Sequence, residues 1–293
     1  MAYGQHQSFY LRDRWLSKAI KQLRTDSRFF YDKEAFEKIG LGKNMVQSLR
    51  FWVVATNMVE EQTNDERKKV HHVTGFGDII DRYDRHIQYY DTASLLHYHL
   101  SNEREPSTVW YWFFNLLDET AISKEELINH FITWVEDNEE KKISHKSLKR
   151  DIDCLIKLYT SGENAQDPEE IIQSPINKVS LLSERNGVVY KKAPKSIEYL
   201  GLIALYYTLL DYCQKNDTFT VSVEEIINRE GLWGKVFNMN RNLTIEALHL
   251  LTSHKRHPII FTRTNNLDTV QIPQNDPTSF LEEEYKRKVH THS

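Results

Sequence analysis

Between Ser8 and Leu23 the apolar residues Phe9, Leu11, Trp15, Leu16, Ala19, Ile20 and Leu23 recur every three or four positions, which predicts one amphipathic helix. Asp32 stands where it would cap a short second helix ending near Ile39, and Gly40 and Gly42 bracket a tight turn. A third helix is expected from Lys43 to Met58, with Val46, Leu49 and Val53 as its apolar stripe. Two helices joined by a short glycine-containing turn form a helix-turn-helix pattern. Lys68 to Thr74 then reads as a strand closed by Gly75-Phe76-Gly77, in the position of a wing.

Two later segments repeat this order loosely. Ser123 with Glu126 forms a capping-box pattern opening a helix to about Glu136, and Ser144 caps another helix to Tyr159. Ser222 with Glu225 gives a second capping box. A helix from Leu243 to Ser253 follows, then strands Ile259 to Thr262 and Thr269 to Ile272, joined around Asn265-Asn266. The expected fold is mainly α with small β-wings, in two or three winged-helix-like helix-turn-helix modules. The expected division is an N-terminal winged-helix-like domain over 1–118, a middle helical module over 119–165, a linker over 166–194 and a C-terminal winged-helix-like domain over 195–293. Pro168, Pro175, Gly187 and Pro194 mark the linker, and the last dozen residues, beginning with the charged run Glu282 to Lys288, are expected to fray.

Composition narrows the class. The 293 residues are 40% hydrophobic and 27% charged, the balance of a globular protein, and the net charge of −4 excludes a globally basic nucleic-acid binder. DNA contact would have to rest on a local patch. Two cysteines, Cys154 and Cys213, argue against a disulfide framework, and no export signal or apolar run of membrane-spanning length is legible. A cytoplasmic location without membrane attachment is the expectation.

Lys43, Gln47 and Arg50 share one face of the third helix, with Asn44 and Ser48 beside them. Lysine and arginine neutralise phosphates, while asparagine, glutamine and arginine can read base edges, so Lys43, Asn44, Gln47 and Arg50 are candidate DNA contacts. Arg67, Lys68 and Lys69, with His71 and His72 behind them, would let a wing grip the backbone. The competing explanations are a solvated helix face and an ordinary charged edge strand. A third basic run, Lys141 to Arg150, is flanked by Glu139, Glu140, Asp151 and Asp153 and reads as a salt-bridged helix. His97 and His99 are expected as packed histidines rather than metal ligands, and Val109 to Phe114 as core. Asp78, Asp81 and Asp84 are weak catalytic candidates, able in principle to hold Mg²⁺ or Mn²⁺. No Walker loop, dinucleotide fingerprint, nucleophile elbow or HExxH motif occurs.

Several stretches together resemble a bacterial family built on a numbered domain of unknown function. They are Gly4-Gln5-His6-Gln7-Ser8-Phe9-Tyr10-Leu11-Arg12, Ile39-Gly40-Leu41-Gly42-Lys43-Asn44-Met45-Val46, Leu95-Leu96-His97-Tyr98-His99-Leu100, Trp110-Tyr111-Trp112-Phe113-Phe114-Asn115 and Lys149-Arg150-Asp151-Ile152-Asp153-Cys154-Leu155. The family opening commonly reads Gly-His-Glu-x-Phe, where this chain has Gly4-Gln5-His6-Gln7-Ser8-Phe9. The resemblance implies a gene beside phosphoadenosine-phosphosulfate-reductase-like proteins in DNA phosphorothioation and phage-defence clusters. It further implies DNA binding, DNA nicking for sulfur insertion, and a cysteine desulfurase, a reductase-like protein and an ATPase as partners. The alternative is a non-enzymatic DNA-binding adaptor or regulator that recruits the reductase-like partner.

Overall fold

The computed structural model describes residues 3–160, 173–264 and 267–291. The chain opens with irregular turns rather than helix. Ser48 Oγ and Trp52 Nε1 both donate to the Phe9 carbonyl, at 3.1 and 2.9 Å, which takes that oxygen out of any helical ladder. Arg14, at φ 61°, turns the chain into α1 (Trp15–Leu23), so the helix expected from Ser8 begins seven residues later. Tyr10 and Leu11 are nevertheless buried, which explains their place in the periodic pattern.

Asp32 accepts from the Glu34 amide at 2.8 Å instead of capping a helix directly, and α2 spans Ala35–Ile39. Gly40, at φ 69°, closes it in the left-handed region where a side chain is strained. α3 covers Lys43–Ala55 and ends before the expected Met58, because Asn57 at φ 55° breaks the ladder. β1 (Val59–Thr63) pairs antiparallel with β2 (Lys69–Val73), so the strand expected as a wing is half of a two-stranded hairpin. β1 escapes sequence reasoning because only Val59 is buried and the alternation of a half-buried strand is missing. Gly75-Phe76-Gly77 does not close the strand. It opens α4 (Gly75–Tyr83), with Thr74 Oγ1 accepting the Gly77 amide at 2.9 Å. A Cβ at Gly77 would lie 2.1 Å from the Met58 carbonyl, so helix and hairpin can meet only over a glycine.

α5 (Tyr90–Asn102) and α6 (Thr108–Tyr111), continued by a π-helical turn over Trp112–Leu116, form the centre of the molecule. Val109, Trp110, Trp112, Phe113 and Phe114 are buried there, as the density of aromatics suggested. β3 (Ala121–Ser123) leads through the Ser123–Glu126 capping box into α7 (Lys124–Asn138), followed by α8 (His145–Thr160). β4 (Leu182–Arg185) and β5 (Val188–Lys191) then form a hairpin whose second strand also pairs with β3. Over its described part, the stretch expected as a linker therefore carries a hairpin that completes a sheet, with Leu181, Leu182 and Val189 buried. Gly187 and its neighbours signal a hairpin turn there rather than a spacer. Pro168 lies outside the described residues.

α9 (Leu202–Lys215) precedes a third unit of similar order, with one helix more than the middle unit. β6 (Thr220–Ser222) enters α10 (Val223–Asn228) through the Ser222–Glu225 capping box, then α11 (Trp233–Val236) and α12 (Arg241–Thr252) follow. β7 (Ile260–Arg263) and β8 (Asp268–Gln271) close a sheet of order β6-β8-β7, matching β3-β5-β4 in the middle unit. The Asn265-Asn266 turn lies outside the described residues. The expected frayed C-terminus is instead α13 (Pro277–Thr291), with Phe280, Leu281 and Tyr285 buried. Its charged run masks the apolar stripe, which packs on α4 and α9.

Buried polar contacts join the three units. His97 on α5 lies 2.6 Å from the Tyr159 hydroxyl of α8 and 2.7 Å from the Val236 carbonyl of α11. Asn115 Nδ2 donates to the Ser101 carbonyl at 2.8 Å while its Oδ1 accepts from the Gly231 amide at 2.8 Å. Asp91 accepts from the Ile203 and Ala204 amides at the start of α9 and is paired with Lys288 of α13. Among the described residues no helix is long and apolar enough to cross a membrane.

Candidate nucleic-acid interface

The turn around Gly40 and Gly42 sets α3 with Val46, Leu49, Trp52 and Val53 inward. The opposite side leaves Lys43, Asn44 and Gln47 exposed and Arg50 half-buried. Lys43 Nζ sits 4.9 Å from the Phe36 ring, and among the described residues Lys43 forms no ion pair. Ser48, expected beside this face, is buried and spent on the Phe9 carbonyl.

Arg50 leads from α3 to the hairpin. Its guanidinium lies 5.4 Å from the Tyr31 ring, and Arg28 stacks on the same ring at 5.1 Å. The Tyr31 hydroxyl donates to Glu61 Oε2 at 3.2 Å, and Glu61 also binds Lys69. Burial opposes ionisation of Glu61, but the hydrogen bond and charge of Lys69 and the hydrogen bond from Tyr31 together outweigh it and hold the carboxyl below its ordinary range. Burial pushes His71, 3.3 Å from Glu61, down to about 4, so it is neutral at physiological pH. Lys68 pairs with Glu66 at 2.7 Å. Lys68 and Lys69 of the hairpin therefore have carboxylate partners, whereas Lys43 and Arg50 on α3 form no ion pair among the described residues. Tyr31, Arg28 and Glu61 carried no sequence signal, because they converge from a single 3-10 turn over Phe29–Tyr31 and a strand about thirty residues later.

The aspartates do not converge. Arg24 Nη2 binds Asp78 at 2.7 Å and Asp81 at 3.1 Å, and Arg85 Nε binds the other oxygen of Asp81 at 3.0 Å. Asp84 faces away, accepting from the Gln88 and Tyr89 amides and from Thr92. Among the described residues no group of three or more His, Cys, Asp or Glu side chains could hold a metal ion. His97 is buried and His99 half-buried, and their ring nitrogens meet tyrosine, asparagine or backbone groups.

In the middle unit, the helix before the hairpin is α8. His145 pairs with Glu136 at 2.9 Å, while Lys146 and Lys149 are exposed and form no ion pair among the described residues. In the third unit α12 shows a different surface. Arg241 is engaged by Glu224 and Asp268, and Glu246, His249 and Leu250 follow it outward.

The model of one family, described as "Protein of unknown function (DUF4007)", matches residues 3–285. The chain belongs to the DUF4007 family. A comparison with curated proteins finds no match. Two solved structures are similar, "Magnesium ion-bound SspB crystal structure" and "SspB crystal structure". Each has 21% sequence identity and a TM-score of 0.88, covering 99% of this chain and 89% of the other. At this identity the likeness establishes a shared fold over nearly the whole DUF4007 chain.

Proposed function

We propose that this DUF4007 protein is the DNA-binding component of a DNA phosphorothioation anti-phage system and contacts DNA through its first winged-helix-like unit. The observation that carries this reading is the outer face of α3, where Lys43, Asn44 and Gln47 are exposed and Lys43 forms no ion pair among the described residues. In a three-helix unit followed by a hairpin, the third helix enters the major groove and the hairpin follows the backbone. Arg50 and Arg28, held against Tyr31, lie at the junction where the backbone would pass. The sulfur-modification context follows from the sequence resemblance, which also supplies the partners: a phosphoadenosine-phosphosulfate-reductase-like protein, a cysteine desulfurase and an ATPase.

Nicking for sulfur insertion belongs to the same proposal. The similar SspB structure was solved with magnesium. In this chain the arginine-bound Asp78 and Asp81 and the loop-binding Asp84 are poorly arranged as ligands, so a cation would have to be shared with DNA phosphates. The test is fluorescence anisotropy with a labelled duplex across a salt series. Wild type should bind with a steep salt dependence, and Lys43→Ala with Gln47→Ala should weaken binding at least tenfold. Unchanged affinity in that double variant would sink the α3 reading. Supercoiled plasmid with Mg²⁺ or Mn²⁺, against an EDTA control, separates a nickase from an adaptor that only binds.

A further inference from the structure

A second basic surface lies between α1 and the end of α4. Ser17, Lys18, Lys21, Arg24, Asp81 and Arg85 line an open cavity of about 370 Å³. Ser17, Lys21 and Arg24 follow at intervals of four and three, so they stack along one side of α1, with Lys18 next to them. We propose that this cavity is a phosphate-binding site.

Three features point to an anion. Lys18 and Lys21 are exposed and, among the described residues, form no ion pair, so their charge is uncompensated. Arg24 and Arg85 are exposed but fixed, since Asp81, only 9% exposed, grips both, at 3.1 and 3.0 Å. Asp78 adds a second hold on Arg24 at 2.7 Å. Four cations against two carboxylates leave a local excess of two positive charges in a protein whose net charge is −4.

Asp78 and Asp81, two of the three carboxylates that looked like a metal cluster in the sequence, thus orient guanidinium groups. A guanidinium offers five N–H donors, and the few taken by Asp78 and Asp81 leave others able to bind phosphate oxygens. The α1 macrodipole accounts for cations near its C-terminus, at Lys21 and Arg24, but not for Lys18 or for Arg85 arriving from another helix. Ser17 is occupied with the Arg14 carbonyl at 3.0 Å and shapes the wall.

The phosphate could belong to a nucleic-acid backbone or to a free phosphate, and two measurements on the full chain separate these sources. In the first, a labelled duplex is titrated by anisotropy at several salt concentrations with wild type, with Lys18→Ala/Lys21→Ala and with Lys43→Ala/Gln47→Ala. Each lost phosphate contact lowers the slope of log affinity against log salt by about 0.9, so Lys18→Ala/Lys21→Ala should lower it by roughly 2. In the second, thermal melting is followed as inorganic phosphate is added at constant ionic strength. A melting shift in wild type that is absent from Lys18→Ala/Lys21→Ala, with no change of DNA slope, assigns the site to free phosphate. Lys18 and Lys21 are surface residues, so the variant should melt like wild type without ligand. Equal slopes together with equal phosphate responses in wild type and variant would overturn the proposal. Because the α3 variant is measured in parallel, failure of one surface is distinguishable from failure of the other.

Discussion

His97 shows how one side chain sets a condition on the whole fold. Its Nε2 faces the Val236 carbonyl and its Nδ1 the Tyr159 hydroxyl, an arrangement satisfied by the neutral ring with the proton on Nε2. Burial lowers its pKa from an ordinary 6.5 to about 4, and burial moves His99 the same way, to about 4. The unfolded chain takes up these protons below about pH 6.5 while the folded chain does not. Stability is therefore fully present above 6.5 and falls as pH drops toward 4, by about 1.4 kcal/mol per pH unit for each histidine. His97→Leu should cost about 2–4 kcal/mol at pH 7, since a buried hydroxyl and carbonyl lose their partner. It should also flatten the loss of stability between pH 6.5 and 5. Urea denaturation at several pH values checks both, and an unchanged pH slope would remove His97 as a source. The sequence marked His97 as packed; its two partners, 62 and 139 residues away, were not legible.

At the scale of elements, the local signals that succeeded are those read within one turn. Ser123 with Glu126 and Ser222 with Glu225 form complete capping boxes, because four consecutive residues contain the whole interaction. The α3 stripe held for the same reason. Periodicity misled where a tertiary partner competed for the backbone, as with the Phe9 carbonyl taken by Ser48 and Trp52. α13 is the opposite case, a helix dense in charge whose few apolar residues are fully used. Ending the chain after Asp276 removes Phe280, Leu281 and Tyr285 from the core, at about 1.5–3 kcal/mol each. That truncation should yield an aggregating product on size exclusion; a monodisperse product with an unchanged melting temperature would show that α13 is dispensable.

At the scale of the molecule, three units of similar order share one centre rather than standing apart. α5 and the aromatic segment after it lie between them, and the His97, Asn115 and Asp91 contacts cross from one unit to another. Calorimetry should therefore give a single unfolding transition, and two well-separated peaks would mean that the units fold independently. The division expected from the sequence treated 166–194 as a spacer. The hairpin there pairs with β3, 65 to 69 residues earlier, and strand pairing over that distance leaves no local trace.

The sequence by itself determined where most helices form and which faces they bury, because those depend on periodicity and on caps that span one turn. It also exposed the polar face of α3, since a surface residue needs only its neighbours on the same helix. Tertiary structure alone decided what the charged groups do. Asp78, Asp81 and Asp84 share a short stretch of chain, but Arg24, Arg85 and the amides after α4 claim their oxygens, and a carboxylate held by arginine is a holder rather than a ligand. Among the described residues Lys43 has no ion-pair partner and rests on the Phe36 ring, while Lys69 is paired with Glu61 across the hairpin. Electrostatic roles depend on which charges meet in space, and only the fold fixes that.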